Sequence, residues 1–308
     1  MAKSEPRYFG GQAVIEGVMM RGANTWAVAV RKDDGAVEVT VHDVPSWAER
    51  YRNLPIVRGV ATLGESMSLG YRALTWSANQ QVPEEQQVSE RALGWTVVVA
   101  GLFFSALFLV IPALAGRDVG QSFSFMPPHL AEGVLRLVLF VGYLLAISLI
   151  PDIRRTFEYH GAEHKTIAAY ENGVELTPES AQRFTTAHVR CGTNFLLTVM
   201  VVAIGVYTFV PFHSVLMVVA SRVVLIPLIA GLSYEVIRLA ARNMHRAWVR
   251  ALMQPGLWLQ RLTTRQPSLE QLDVAITSLR AVLSADELVE VESRPVTRGV
   301  VQPALGTA

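Results

Sequence analysis

Four side chains that commonly bind metal ions lie close together in one polar stretch of the chain. His160 and His164 are four residues apart, and His188 and Cys191 follow before the next apolar segment. The chain has seven histidines and one cysteine, so half of these eight residues fall in this stretch. Imidazole and thiolate are common zinc ligands. The sequence therefore predicts a divalent metal site, with zinc as the expected ion.

The run from His160 to His164 reads H-G-A-E-H, with Glu163 between the histidines. On an α-helix, residues four apart share a face with Cβ atoms about 6 Å apart, so both imidazoles can bind one ion. Glu163 flanks that face, and we assign it the role of a catalytic base that activates water. The alternative is that the two histidines only form hydrogen bonds near a helix end.

The remaining ligands are open to two interpretations. The order H-x-x-E-H also occurs in inverted zinc peptidases, and Glu235, 71 residues after His164, would match their downstream third ligand. His188 and Cys191 are the other candidates. Binding by three histidines and the cysteine would form a closed structural centre, whereas three ligands leave one position for water.

The chain is too apolar for an ordinary soluble protein, with 51% hydrophobic residues and a mean hydropathy of +0.32. Four apolar blocks each have roughly the 20 residues that an α-helix needs to cross a bilayer. We therefore predict an α-helical integral membrane protein with about four transmembrane helices in two hairpins. The blocks are Gly94–Ala115, Gly133–Pro151, Gly192–Phe212 and Ser214–Tyr234.

The distribution of Lys and Arg predicts the orientation of these blocks. Ten lie in residues 1–93, five in 152–191 and nine in 234–308, but only Arg117 lies in 116–132. By the positive-inside rule, both termini and the His-rich loop 152–191 face the cytoplasm. We expect no cleavable signal peptide, since the first apolar run begins after residue 90. No nucleic-acid motif appears in the sequence, so we expect no nucleic-acid partner; the net charge of +1 does not bear on this question.

The region 1–93 is expected to form a small antiparallel sheet followed by amphipathic helix. Trp26–Val44 alternates around Asp34-Gly35, a strong hairpin signal. Ser46 resembles the start of a capping box, and Pro55 predicts a break in the helical pattern that follows. The region 235–290 is expected to form cytoplasmic helices, including an amphipathic one over Ser268–Leu283, and 291–308 a flexible tail.

Several charged residues outside the ligand set are candidates for substrate binding or structural support. Glu16 and Arg21 lie in a glycine-rich motif, where they either face each other across a tight turn or reach the His-rich loop. Lys165 and Arg190 adjoin the candidate ligands. A further set of arginines repeats every four residues and suits anionic lipid head groups or an anionic substrate: Arg238, Arg242, Arg246 and Arg250.

Five motifs, in order, make the chain from Tyr8 to Leu283 resemble the bacterial YqhQ family. They are Gly10–Gly22 (GGQAVIEGVMMRG), Tyr159–Lys165 (YHGAEHK), His188–Phe195 (HVRCGTNF), Gly231–Glu235 (GLSYE) and Leu262–Pro267 (LTTRQP). Gln266 departs from the Glu expected there, at a position away from the proposed ligands. The resemblance implies an integral protein of the bacterial cytoplasmic membrane and a metal site of a predicted metal-dependent enzyme, but no established reaction.

These features predict a metal-dependent membrane enzyme, hydrolytic in type, that acts on a lipid-linked, peptide or other membrane-proximal substrate. The alternative is a non-enzymatic scaffold or regulator, with a structural metal site and a protein partner. A transporter component is disfavoured, because Arg136 and Arg222 are the only charges inside the apolar blocks. A transport pathway through so few charged spans would require the protein to form a homo-oligomer. Membrane lipids are expected partners in every case.

Overall fold

The computed structural model describes residues 9–87, 89–122, 127–210 and 214–294. A four-stranded antiparallel sheet opens the fold, with its strands in chain order. This confirms the predicted N-terminal sheet. The strands are β1 (Gly10–Val14), β2 (Gly17–Arg21), β3 (Thr25–Arg31) and β4 (Val37–Asp43).

Helices make up most of the rest of the described chain. The segments α2 and α3 are joined by a π-helical turn, Ala106–Val110. In chain order the helices are α1 (Val57–Gln80), α2 (Glu90–Ser105), α3 (Ile111–Ser122), α4 (Pro128–Ile147), α5 (Pro151–Glu171), α6 (Pro178–Gln182), α7 (Gly192–Tyr207), α8 (Val215–Val224), α9 (Ile226–Arg242), α10 (Ala247–Thr263), α11 (Leu269–Arg280) and α12 (Ala285–Glu292).

Helices cover both faces of the sheet. Alternate side chains of β3 point to opposite faces: Trp26, Val28 and Val30 pack towards α1, where they meet Leu69. Ala27 and Ala29, on the other face, join a core with buried residues of α5 and α11. The N-terminal sheet, the His-bearing helix and a C-terminal helix therefore form one packed unit, although they are far apart in sequence.

The turns after β1 and β3 have different geometries, and only the second was predicted as a hairpin from the sequence. Val14 pairs with Gly17, which leaves Ile15 and Glu16 as a two-residue turn with Glu16 at φ 53°. Between β3 and β4 the chain turns at Asp34-Gly35, as the sequence predicted, and Gly35 has a φ of 84°. Glycine suits that position, because other residues seldom adopt a positive φ.

The predicted capping box at Ser46 is wrong. Ser46 makes no side-chain hydrogen bond to the helix that follows, and its hydroxyl donates instead to the carbonyl of Val44. The segment after Ser46 is a short 3-10 helix, Trp47–Tyr51, and not the start of an α-helix. The predicted break at Pro55 is confirmed, since α1 begins at Val57.

The predicted apolar blocks coincide with helices, but the helices differ in length. Two helices in the described chain, Arg91–Gly116 and Pro128–Ile147, are long and apolar enough to cross a membrane. A third candidate is bent by 45° between α8 and α9, and α7 is apolar but shorter. The structure thus has two or three candidate spans by length and composition. The turn Pro211-Phe212-His213 lies outside the described residues.

The predicted His-rich loop is largely helical. Helix α5 covers its first half and begins with Pro151, one residue before the loop, at the first helical position, where proline is well tolerated. Towards the C-terminus, the predicted helix over Ser268–Leu283 is confirmed as α11, with a complete capping box between Ser268 and Gln271. Helix α12 extends to Glu292, into the expected tail, while residues 295–308 lie outside the described chain.

Candidate metal centre

Three of the predicted ligands meet in one place. His160 and His164 lie one turn apart on α5, and Cys191 is the residue immediately before α7. Their potential ligand atoms all lie within 4.8 Å of one another. Cys191 Sγ lies 3.4 Å from His160 Nε2. One small ion could therefore contact all three side chains.

Backbone carbonyls orient both imidazoles. His160 Nδ1 lies 2.8 Å from the Thr263 carbonyl oxygen, and His164 Nδ1 bonds the carbonyl of Thr186. Because a carbonyl only accepts, each Nδ1 must carry the proton, and in the neutral ring Nε2 keeps its lone pair. Such carbonyl partners are typical of the outer shell of a metal site. Both histidines thus present Nε2 as a ligand.

The carboxylate of Glu163 faces the same point. One of its oxygens, Oε2, lies 3.9 Å from His160 Nε2 and 4.0 Å from His164 Nε2. The residue is only 6% exposed. Since zinc binds imidazole nitrogen at about 2.0–2.1 Å, an ion held by both rings would lie close to this carboxylate. Glu163 can therefore act as a fourth ligand or as a base for an adjacent water.

The charges of the three ligand side chains are coupled. Burial opposes ionisation of Cys191, yet the charges and hydrogen bonds of His164 and His160 bring the pKa of the thiol well below its usual value. Burial alone would lower the pKa of His160, but its bond to Cys191, assisted by Glu163 and the Thr263 carbonyl, raises it to about 9. A thiolate beside a protonated imidazole is therefore the favoured metal-free form.

Polar residues of α10 hold the Cys191 segment in place. Gln260, which is almost fully buried, accepts from the His188 amide at 2.9 Å and donates to its carbonyl at 2.8 Å. The hydroxyls of Thr193 and Thr263 lie 2.9 Å apart. Sequence reasoning did not assign a role to Gln260 or Thr263. The sequence feature that could have indicated Thr263 is the Leu262–Pro267 motif, because the backbone carbonyl of Thr263 bonds His160.

His188 lies at the edge of the three-ligand group. Its ring centroid is 5.5 Å from that of His164, and its Nε2 is 3.6 Å from a carboxylate oxygen of Glu171. Arg190 forms a salt bridge with the same carboxylate. These contacts hold His188 and Arg190 beside the centre, so they fit a supporting role, while the three remaining ligands fit an open site.

Glu235 pairs with residues outside the three-ligand group. Its carboxylate forms a salt bridge with Arg58 and accepts a hydrogen bond from the Ile56 amide at 3.4 Å. Its neighbour Tyr234 lines the cavity of the centre, but Glu235 does not. The structure thus does not bring the peptidase-like third ligand to the three-ligand group.

The other charged candidates, Glu16, Arg21 and Lys165, contact residues outside the three-ligand group. Glu16 bonds Arg155 and the hydroxyl of Tyr159 on α5, so it does reach the His-bearing helix, although not its ligands. Arg21 forms a salt bridge with buried Glu65 of α1 and does not face Glu16. Lys165 points away from the centre and donates to the carbonyls of residues 182 and 184, at 2.6 and 2.7 Å.

A cavity of about 730 Å³ opens over the centre. Its lining combines the glycine-rich start of β1 with residues of α5 and with the segment around Cys191. The volume lies in the range of small-molecule sites, about 300–1,000 Å³. The three ligands and Glu163 all line this cavity. The centre is therefore accessible to water and to a reacting group.

Comparison with known proteins gives the chain a family but no reaction. The family described as "Protein of unknown function (DUF1385)" matches residues 54–285. The chain is 33% identical to the "Uncharacterized protein YqhQ" of Bacillus subtilis (strain 168), over 94% of this chain and 96% of that protein. No solved structure matches the chain. On these two matches, the chain belongs to the DUF1385 family that includes YqhQ.

Proposed function

We propose that the protein is a metal-dependent hydrolase of the bacterial cytoplasmic membrane. Zinc would be bound by His160, His164 and Cys191, and Glu163 would be the catalytic base. The observation that carries this proposal is the position of the Glu163 carboxylate, about equally far from both Nε2 atoms at an accessible cavity. Two oriented imidazoles, a thiol of lowered pKa and a facing carboxylate fit the donor set of a zinc enzyme.

The division of labour follows from these positions. Zinc, when bound, makes water more acidic and polarises the bond to be cleaved. Glu163 accepts a proton from the attacking water, whose oxygen forms the new bond to the substrate. As the bond to the leaving group breaks, Glu163 returns the proton to it. The carbonyls of Thr186 and Thr263 keep both imidazoles in the tautomer that this requires.

The membrane location is supported by the outward-facing side chains of the long apolar helices. On α2, Trp95, Val99 and Leu102 are between 62% and 70% exposed. Contiguous apolar surface of this kind is rare on soluble monomers and fits contact with lipid. The Lys and Arg distribution supports a cytoplasmic location of the metal centre and of both termini.

A second function is favoured by one observation, the short distance between the rings of His164 and His188. If His188 turned from Glu171 to the ion, the site would become a closed centre of three histidines and one cysteine. Closed zinc centres are usually structural. The protein would then be a membrane scaffold or regulator in which the metal ties α5 to α7, and Glu163 would have no catalytic role.

Conversion of membrane lipid extract by the purified protein distinguishes the two functions. Wild-type protein loaded with zinc should consume a component and form products that together contain one added water. Glu163→Gln should bind zinc normally and form none of these products. Glu158→Gln is the matched control, because Glu158 lies on the same helix but bonds Gln271. Equal conversion by wild type and Glu163→Gln would contradict the enzyme proposal.

A further inference from the structure

A second cavity lies beside the metal centre and contains three arginines. It has a volume of about 640 Å³ and lies between α1, α9 and the start of α7. We call it the arginine groove. Its charged lining is Arg190, Arg238 and Arg242, and its large apolar side chains are Leu63, Phe195 and Ile237.

The charge of the groove is incompletely compensated. Arg238 and Arg242 lie one turn apart on α9, and neither forms a salt bridge within the part of the chain that the structure describes. Arg190 is held at the groove by Glu171. Arginines suit phosphate, because the planar guanidinium can donate two parallel hydrogen bonds to its oxygens. Apolar side chains beside them suit hydrocarbon.

The groove is continuous with the cavity of the metal centre. Four residues line both: Thr62, Arg190, Gly192 and Tyr234. Gly192 directly follows the proposed ligand Cys191. A molecule whose phosphate is held by the arginines would therefore extend along this shared wall towards the three ligands and Glu163.

The position of α9 puts the groove at the expected level of the lipid head groups. This helix begins in the bent apolar pair and ends at Arg242, with its arginines in the last two turns. At the cytoplasmic face of a bilayer, basic residues in this position meet anionic lipid phosphates. A phospholipid could thus enter the groove laterally, with its acyl chains remaining in the bilayer.

We infer that the arginine groove binds the phosphate of an anionic lipid, and that such a lipid is the substrate class of the metal centre. The second part of this inference rests on the proposed function. The first part requires no metal, so the two parts can fail independently.

Lipid binding by the full-length protein in a zwitterionic detergent tests the inference, with short-chain dihexanoylphosphatidic acid as the probe. Wild type should bind this lipid more tightly than dihexanoylphosphatidylcholine and than inorganic phosphate. Arg238→Gln/Arg242→Gln should weaken binding about tenfold or more, since charge-assisted hydrogen bonds are lost. Arg246→Gln is the matched control: α9 ends at Arg242, so the structure separates the exposed Arg246 from the first two arginines of the four-residue repeat, and Arg246 does not line the groove.

Three results would overturn the lipid site. These are unchanged affinity in the double Gln variant, an equal loss in Arg246→Gln, or inorganic phosphate binding as tightly as the lipid. Arg238→Lys/Arg242→Lys retains both charges and should recover much of the affinity, which separates charge from misfolding.

His164→Ala should lose zinc but still bind the lipid. If wild type binds the lipid but holds no zinc, the proposed function fails and the lipid site stands. If zinc is present but the lipid is not bound, the lipid inference fails alone.

Discussion

Gly11 of β1 lies against the side chain of Glu163. A methyl group at position 11 would be 2.8 Å from Glu163 Cγ and 3.0 Å from its Oε1. It would also be 2.8 Å from the Met19 carbonyl oxygen, so the strand has little room to shift. The glycine-rich N-terminal motif thus has a defined role, because it allows the sheet to pack directly on the proposed catalytic base.

Gly11→Ala should displace the Glu163 carboxylate while leaving the three ligands in place. We expect near-normal zinc content with a large loss of hydrolytic activity, and destabilisation of about 1–3 kcal/mol from overpacking. Gly10→Ala is the control, since nothing lies within 4 Å of a methyl group at that position. Equal activity in both variants would show that the position of Glu163 is not critical.

Gly161→Ala should separate α5 from the segment that orients His160. A methyl group there would overlap the Arg265 carbonyl oxygen, next to the bond between the Arg265 amide and Phe157. We expect lower thermal stability and weaker zinc binding. By contrast, Gly142→Ala, at an uncrowded position in α4, should be neutral or stabilising by about 0.5–1 kcal/mol through helix propensity. Similar unfolding temperatures for the two variants would contradict the close approach of Arg265.

Zinc affinity should depend on pH through His160. With its pKa raised to about 9, His160 is protonated in the metal-free protein at neutral pH, so the ion must displace that proton. The pKa of Cys191 is lowered, so its thiolate is already formed. Affinity should therefore fall as pH falls, by about tenfold per unit below the pKa of His160, with about one proton released per ion.

Calorimetry in buffers of different ionisation enthalpy measures this release. Release of no proton, or of two, near neutral pH would contradict the assigned charge states.

The buried ion pairs of the apolar helices should stabilise the fold without contributing to the metal centre. Glu132 of α4 bonds Arg136 and Arg222, all three are at most 4% exposed, and the Arg222 guanidinium lies 4.2 Å above the Tyr207 ring. Glu132→Gln would leave two buried cations without a carboxylate. We expect destabilisation of about 3–5 kcal/mol, seen as a lower thermal midpoint in detergent. Glu179 is exposed, so Glu179→Gln should change the thermal midpoint little. An equal midpoint for both variants would contradict the role of Glu132.

Local patterns in the sequence predicted the parts of the fold that local forces determine. Asp34-Gly35 identified a hairpin because its turn requires a positive φ, and the apolar period over Ser268–Leu283 identified α11, which in the structure begins with a capping box between Ser268 and Gln271. Ser46 carried a similar pattern, but its hydroxyl bonds Val44 instead. A capping motif is reliable only where the preceding chain leaves the side chain free to reach the helix.

The candidate site was predictable in its ligands but not in its surroundings. Spacing alone identified His160 and His164, whereas the partner of Glu235 is Arg58, which lies 177 positions away in sequence. Glu132 was assigned to a connection outside the apolar blocks, although it is buried against Arg222. Such long-range pairs depend on how helices pack, and no local period of apolar residues encodes them.

The central claim is that His160, His164 and Cys191 bind one metal ion. Elemental analysis of the purified full-length protein tests it most directly, with His164→Ala and Cys191→Ser measured alongside. We predict about one zinc per chain in wild type, loss of zinc in His164→Ala and reduced zinc in Cys191→Ser, as expected for a site with three protein ligands. A wild-type protein without stoichiometric metal, or zinc retained fully in both variants, would contradict the claim.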